Sequence, residues 1–217
     1  MGKTTIEVYS DPVCPWCMIG KRRLDRALES IGTGSHGPEV LVRWRVFQLN
    51  PSMPSDGMDR AAYLAAKFGG AARAGEIYRA IRNEGAGEGI RFAFERIKRT
   101  PNTLKAHALI GAATASGLDH AMVERLFRAY FLEGLDIGRA SVLRSLAEEV
   151  GLSGAEIDAC LGDHTDHGQL TAEDARARAG GISGVPFFLI DGRYSLAGAV
   201  PSEVLIRALQ LAGQAVS

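Results

Sequence analysis

Thr5-Ile6-Glu7-Val8-Tyr9-Ser10-Asp11-Pro12-Val13-Cys14-Pro15-Trp16-Cys17 decides how the chain is read. Its first six residues alternate and are rich in β-forming types, which predicts a strand ending at Asp11-Pro12. A helix is expected to begin near Pro15, since proline suits a first helical turn, with Ile19, Leu24, Leu28 and Ile31 lining one face up to Gly32. The C-x-x-C therefore sits at a strand-to-helix junction, with Cys14 at the helix tip. The unpaired N–H groups of a helix N-terminus and the positive end of its dipole stabilise a thiolate. Such surroundings bring a cysteine from about 8.5 to roughly 3.5–7.5, and a fall to about 7 lifts the thiolate fraction at neutral pH from a few per cent to about half. Cys14 is expected to be the nucleophile, and Cys17, one turn deeper, to be the thiol that resolves a mixed disulfide. Pro15 helps start the helix, and Trp16 at its tip is expected to show its ring to a substrate.

Working outward, residues 33–38 have loop composition. Val40, Val42, Trp44 and Val46 then alternate with Leu41, Arg43, Arg45 and Phe47 in a second strand closed by Asn50-Pro51. The opening reads strand, helix, strand, like a parallel βαβ unit. From about residue 54 to residue 180 the pattern is helical. Val123, Leu126, Phe127, Tyr130 and Phe131 follow i, i+3, i+4, i+7, i+8, as do Leu143, Leu146, Ala147 and Val150 in part, and Ser153-Gly154-Ala155-Glu156 has capping-box spacing. Strand character returns with Pro186-Phe187-Phe188-Leu189-Ile190, a turn at Asp191-Gly192 and Arg193-Tyr194-Ser195-Leu196, before a last helix from about Pro201 to Leu211. Gly184-Val185-Pro186 stands directly before the returning strand. C-x-x-C at the first helix tip, followed much later by G-V-P, a hairpin and a helix, is the element order of a thioredoxin fold. The expected architecture is α/β: residues 1–53 and 181–217 form a thioredoxin domain, interrupted by a long all-helical insertion domain over residues 54–180.

Composition narrows the function. With 217 residues, 46% of them hydrophobic, the chain can bury a core, and 25 basic against 25 acidic residues leave no net charge. That balance argues against disorder and against a nucleic-acid partner recognised through a basic surface. No stretch approaches the 18 or more apolar residues of a membrane span, so no membrane partner is expected. Met1-Gly2-Lys3-Thr4-Thr5-Ile6-Glu7 reaches a charge before any signal-peptide core, and position 6 is Ile where myristoylation of Gly2 wants Ser or Thr. A cytoplasmic protein with reduced cysteines is expected. No metal is expected, because a structural zinc needs four ligands and His164 and His167 are separated by only two residues. Cys160 reads as a packed small apolar residue. Gly85-Ala86-Gly87-Glu88-Gly89 lacks phosphate-loop spacing and reads as a flexible connection. His107 reads as a satisfied, partly buried helix histidine, Asn102-Thr103 as the start of that helix, and Lys21-Arg22-Arg23 as a solvated helix face.

Residues 9–21 (YSDPVCPWCMIGK) and 181–201 (GISGVPFFLIDGRYSLAGAVP) resemble the cytoplasmic DsbA-like thiol–disulfide oxidoreductases of the FrnE type. The resemblance extends through Thr100-Pro101-Asn102-Thr103 with His107, through Leu126-Phe127-Arg128-Ala129-Tyr130-Phe131 and through Gly134-Leu135-Asp136-Ile137-Gly138, and so covers nearly the whole chain. It implies dithiol–disulfide exchange by Cys14 and Cys17 on cysteine-containing proteins or peptides. It also implies a cis Val185-Pro186 bond beside them, with Val185, Pro186, Pro15 and Trp16 meeting the substrate. The redox-active pair is the only implied cofactor, with glutathione as an alternative co-substrate. One departure stands out: many thioredoxin-fold enzymes carry a buried carboxylate six residues before the first cysteine, and here that residue is Val8. Water, Asp11 or no group at all is left to move the proton of Cys17, and the relay stays unassigned. Two other functions share parts of this reading. Kappa-class transferases and 2-hydroxychromene-2-carboxylate isomerases have the same architecture but place a serine at the Cys14 position and use the glutathione thiol. A peptide-binding chaperone would use a groove between the domains and keep binding when both cysteines are lost.

Overall fold

The computed structural model describes residues 3–32, 39–162 and 167–214; the loop expected at 33–38, and His164, lie outside the described residues. Strand β1 (Thr4–Ser10) turns Ile6 and Val8 inward, as its alternation requires, and it is the strand on which the sheet is built. On one side it pairs in parallel with β2 (Val40–Val46), from Thr4 opposite Val40 to Ser10 opposite Val46. On the other it pairs antiparallel with β5 (Phe187–Ile190), whose hairpin partner is β6 (Tyr194–Ala197), giving the order β2-β1-β5-β6. Helix α1 (Pro15–Ser30) and the final helix α9 (Ser202–Gln214) pack on the face to which Ile6 and Val8 point, and Leu24, Phe188, Ile190, Leu205 and Leu209 close that core.

The chain between β2 and β5 carries α2 (Arg60–Phe68), α3 (Ala71–Gly87), α4 (Leu104–Ala115), α5 (Asp119–Arg128), α6 (Ala140–Val150), α7 (Gly154–Leu161) and α8 (Gly168–Ala179). Helix α5 runs on into a π-helical turn, Ala129–Glu133. The residues spaced for one face, Val123, Leu126, Phe127, Tyr130 and Phe131, are all buried, and Ser153 and Glu156 form a reciprocal capping box at the start of α7. This second core also takes in Cys14, Cys17, Met18 and Ile19, so α1 is shared between two cores.

Three expectations are corrected. The stretch after β2 is not all-helical, because β3 (Met58–Asp59) and β4 (Arg99–Thr100) pair antiparallel where the segments entering α2 and leaving α3 pass each other. Gly85 is not in a flexible connection but in the last turn of α3. A Cβ there would lie 2.4 Å from Cε2 of Phe92, so only glycine lets that ring approach. Lys21-Arg22-Arg23 is not a solvated face either. Lys21, with 3% of its side chain exposed, places Nζ 2.8 Å from Asp25 and 3.4 Å from Glu124. Arg22 Nη1 donates to Glu124 at 2.7 Å, and Arg23 Nε donates to Glu88 at 2.7 Å. These charges bolt the first helix to α5 and α3.

Removing Lys21 leaves Asp25 and Glu124 with fewer counter-charges in a half-buried setting. Since both carboxylates keep partial solvent access, Lys21→Met is expected to cost about 1–3 kcal/mol, less than for a fully buried pair. The check is a lower denaturant midpoint with an unchanged slope.

Candidate active site

Pro15 occupies the first turn of α1 and leaves Cys14 at the N-cap in extended backbone, φ −93° and ψ 110°. No side chain caps this helix, and the N–H groups of Cys17 and Met18 donate to the Cys14 carbonyl at 3.0 and 3.4 Å. Cys14 Sγ donates to the Val185 carbonyl oxygen at 3.5 Å, and the Val185-Pro186 bond is cis. Beneath it, Gly20 of α1 gives Pro186 its space, because a Cβ on Gly20 would lie 2.9 Å from Pro186 Cγ and 3.3 Å from Phe188 Cζ. Both cysteines are free thiols and both are buried, at 3% and 2% exposure. They are not equivalent. Cys14 lines a cleft of about 240 Å³ together with Pro15, Trp16 and Val185, whereas Cys17 lies behind it. Trp16 is 38% exposed at the cleft mouth. Pro186 lies outside the lining, against Gly20.

Burial pushes the Cys17 thiol well up, and its hydrogen bond to Cys14 and the nearness of that sulfur push it further. The Asp11 backbone and the Ser10 hydroxyl pull the other way, although that hydroxyl meets hydrogen-bond geometry with no protein group. Asp11 holds the turn that presents the dithiol. Its Oδ2 accepts from Leu49 N–H at 2.7 Å, its Oδ1 from Val13 N–H at 3.3 Å, and its carbonyl from Cys14 N–H at 2.9 Å. Burial raises this carboxyl to about 6, with the Leu49, Val13 and Thr103 hydrogen bonds opposing. Its carboxyl oxygens are taken by the Leu49 and Val13 backbone and by Thr103, and its interaction with Cys17 runs through the main chain.

His107 differs from its reading. It is fully rather than partly buried, burial holds it down to about 4, and its Nε2 has no protein partner. With Ser10 and Trp44 it borders a second cavity of about 520 Å³ along β2. Asn102 accepts from Leu104 N–H at 3.0 Å, one residue ahead of the Thr103 cap, so it does begin α4. Cys160 is half-buried and donates to Ala108 O at 3.5 Å. Among the described residues, no three His, Cys, Asp or Glu side chains cluster as a metal site, and no helix is long and apolar enough to cross a membrane. The wall facing Cys14 is built by Arg60, Tyr63 and Lys67 of α2 and Tyr78 of α3, none of which any motif singles out.

A four-stranded sheet with this order, a helix-tip C-x-x-C and a cis-proline loop beside it define a dithiol protein of thioredoxin fold. The chain belongs to the DSBA-like thioredoxin domain family, whose model matches residues 5–210. It is 31% identical over 206 residues to the uncharacterised protein YwbO of Bacillus subtilis, covering 94% of each chain. It is similar to the crystal structure of a probable DsbA oxidoreductase from Streptomyces coelicolor, at 29% identity and a TM-score of 0.84, over 97% of this chain and 90% of that one. The cytosolic disulfide reductase DsbM from Pseudomonas aeruginosa, in a structure with GSH, matches at 21% identity and a TM-score of 0.64, over 96% of this chain and 95% of its own. That last likeness is one of fold.

Because the folded state raises the Asp11 carboxyl from 3.8 to about 6, its contribution to stability is full below pH 4 and is lost as pH rises through 6. Asp11→Asn removes that dependence. Relative to the natural protein, the variant is expected to gain about 3 kcal/mol between pH 4 and pH 8. Urea titrations of both proteins at the two pH values measure it, and a constant difference rules out the buried acid.

Proposed function

We propose that this protein is a cytoplasmic thiol–disulfide oxidoreductase of the FrnE type, exchanging disulfides with cysteine-containing proteins or peptides. The observation that carries the reading is the asymmetry of the dithiol: Cys14 is at the helix tip on the cleft wall, and Cys17 is behind it with its proton retained. In the first step the Cys14 thiolate attacks a substrate disulfide, forms a Cys14–substrate disulfide and releases the other substrate half as a thiolate. In the second, Cys17 loses its proton and attacks Cys14 Sγ, which releases the substrate thiolate and leaves a Cys14–Cys17 disulfide. Two electrons pass to the substrate; the reverse sequence oxidises a substrate dithiol. Holding the Cys17 proton delays the second step until the mixed disulfide has formed, and the attacking order follows from it.

The Val185 carbonyl beside Cys14 is the docking edge in this reading, offering backbone pairing to an extended peptide while Pro186 presents no N–H at the sulfur. Pro15 and Trp16 flank the substrate on the helix side. The dithiol is itself the redox group, and neither a further cofactor nor a metal is required by the chemistry. Cys14, where kappa-class transferases and their isomerase relatives have serine, supports exchange rather than glutathione activation, with glutathione as a co-substrate. A reducing cytoplasm keeps such a pair ready to donate.

Cys14→Ser is expected to abolish disulfide turnover. Cys17→Ser is expected to accumulate a mixed disulfide, seen as added mass that dithiothreitol removes. Iodoacetamide should label Cys14 before Cys17. Turnover surviving in Cys14→Ser, or Cys17 labelling first, would reverse the assignment. A double variant that still binds peptides without turning over disulfides would indicate a chaperone.

A further inference from the structure

Two cations face Cys14 across the cleft, and neither is neutralised. Arginines elsewhere around α1 find carboxylates, as Arg22 does in Glu124 and Arg23 in Glu88. Among the described residues, no carboxylate lies within ion-pair distance of Arg60 or Lys67, and the cleft lining contains no Asp or Glu. Both are nonetheless held in place. Arg60 Nη1 donates to Thr100 Oγ1 at 2.9 Å and to Tyr130 OH at 3.4 Å, and Nη2 donates to Tyr78 OH. The guanidinium sits 5.4 Å from the Tyr63 ring and 5.5 Å from that of Tyr78. Lys67 Nζ lies 5.7 Å from the same Tyr63 ring and donates to Asn50 Oδ1 at 3.2 Å. Neutral oxygens and ring faces orient these groups without cancelling their charge, and a guanidinium has five donors, of which these three bonds use only part. Fixed positive charge in a cleft with apolar walls favours an anion there more than the same charge in open water.

We propose that the preferred substrate is a low-molecular-weight disulfide bearing a carboxylate, which Arg60 and Lys67 seat while its sulfur meets Cys14. The inference rests on the oxidoreductase reading above and adds the substrate class. Size argues for a small occupant: the cleft measures about 240 Å³, ends against Ile81, Phe94 and Phe131, and leaves Cys14 3% exposed, so it admits a short peptide more readily than a folded surface. The exchange consumes one substrate disulfide and yields two substrate thiols, with the electrons coming from Cys14 and Cys17.

The test compares second-order rates of oxidation of the reduced protein by glutathione disulfide, which is anionic, hydroxyethyl disulfide, which is neutral, and cystamine, which is cationic. Each is normalised to the reaction of the same disulfide with dithiothreitol. The expected order is anionic, neutral, cationic, with the gap narrowing at high salt. Lys67 is exposed, so its replacement leaves folding intact. Lys67→Gln should lower the ratio of the glutathione disulfide rate to the hydroxyethyl disulfide rate about threefold, as expected for one accessible charge pair, and Lys67→Glu should lower it further. Arg60→Gln should act in the same direction, its fold checked by circular dichroism. Equal normalised rates in the natural protein, or an unchanged anionic-to-neutral ratio in Lys67→Glu, overturns the proposal. So does an acidic decapeptide disulfide that outruns glutathione disulfide tenfold, since the occupant would then be a protein segment. Inertness toward all three small disulfides likewise overturns the proposal if the decapeptide disulfide is still turned over; inertness toward that peptide as well would bring down the oxidoreductase reading itself.

Discussion

The Asp11 carboxyl, accepting from Leu49 and Val13, is the constraint from which the rest of the site follows. Its two oxygens tie the chain leaving β1 to the Val13 and Leu49 backbone just ahead of the helix whose tip faces the Val185 carbonyl. A buried acid tied to main-chain N–H groups replaces backbone pairing that an irregular turn cannot supply for itself. It does so with a group whose ionisation is costly in that position. The site therefore rests on a carboxyl whose charge state changes within the range in which proteins ordinarily work.

Sharing α1 between two cores gives the dithiol its depth. On one side Leu24 and Ala27 meet the sheet and α9; on the other Cys17, Met18 and Ile19 meet the helices of the long middle stretch. Lys21, Arg22 and Arg23 then bind that helix laterally to α5 and α3. A helix gripped on three sides is a rigid mount for a nucleophile, and at Gly20 the missing Cβ lets Pro186 approach it.

Local signals made much of this legible. Alternation in residues 4–10, proline after a cysteine, the Ser153–Glu156 box and Asp191-Gly192 each act over a few residues, and each resolves to the element its chemistry favours. What escaped reading depends on partners distant in sequence. A helix face looks the same whether water or Glu124 lies opposite, so Lys21 read as solvated. Gly85 looked like slack because Phe92, which needs its missing Cβ, belongs to no pattern that includes it. The cations of the cleft wall lie on α2, about fifty residues beyond Cys14, where no spacing rule connects them to a sulfur.

The order of the strands has a consequence for how the molecule is made. Strand β1 is central, yet β5 lies 141 residues beyond the end of β2, with α2 to α8 in between. At about 5–20 residues per second, a ribosome leaves the β5-side edge of β1 uncovered for roughly 7–30 s. During that interval β1, α1 and β2 have only each other and the emerging helices for cover, and an open edge rich in Ile, Val and Tyr invites pairing with other chains. The middle stretch is synthesised in full before β5, so the contacts it makes with Met18 and Ile19 are the ones open to the first helix while the sheet lacks its other half.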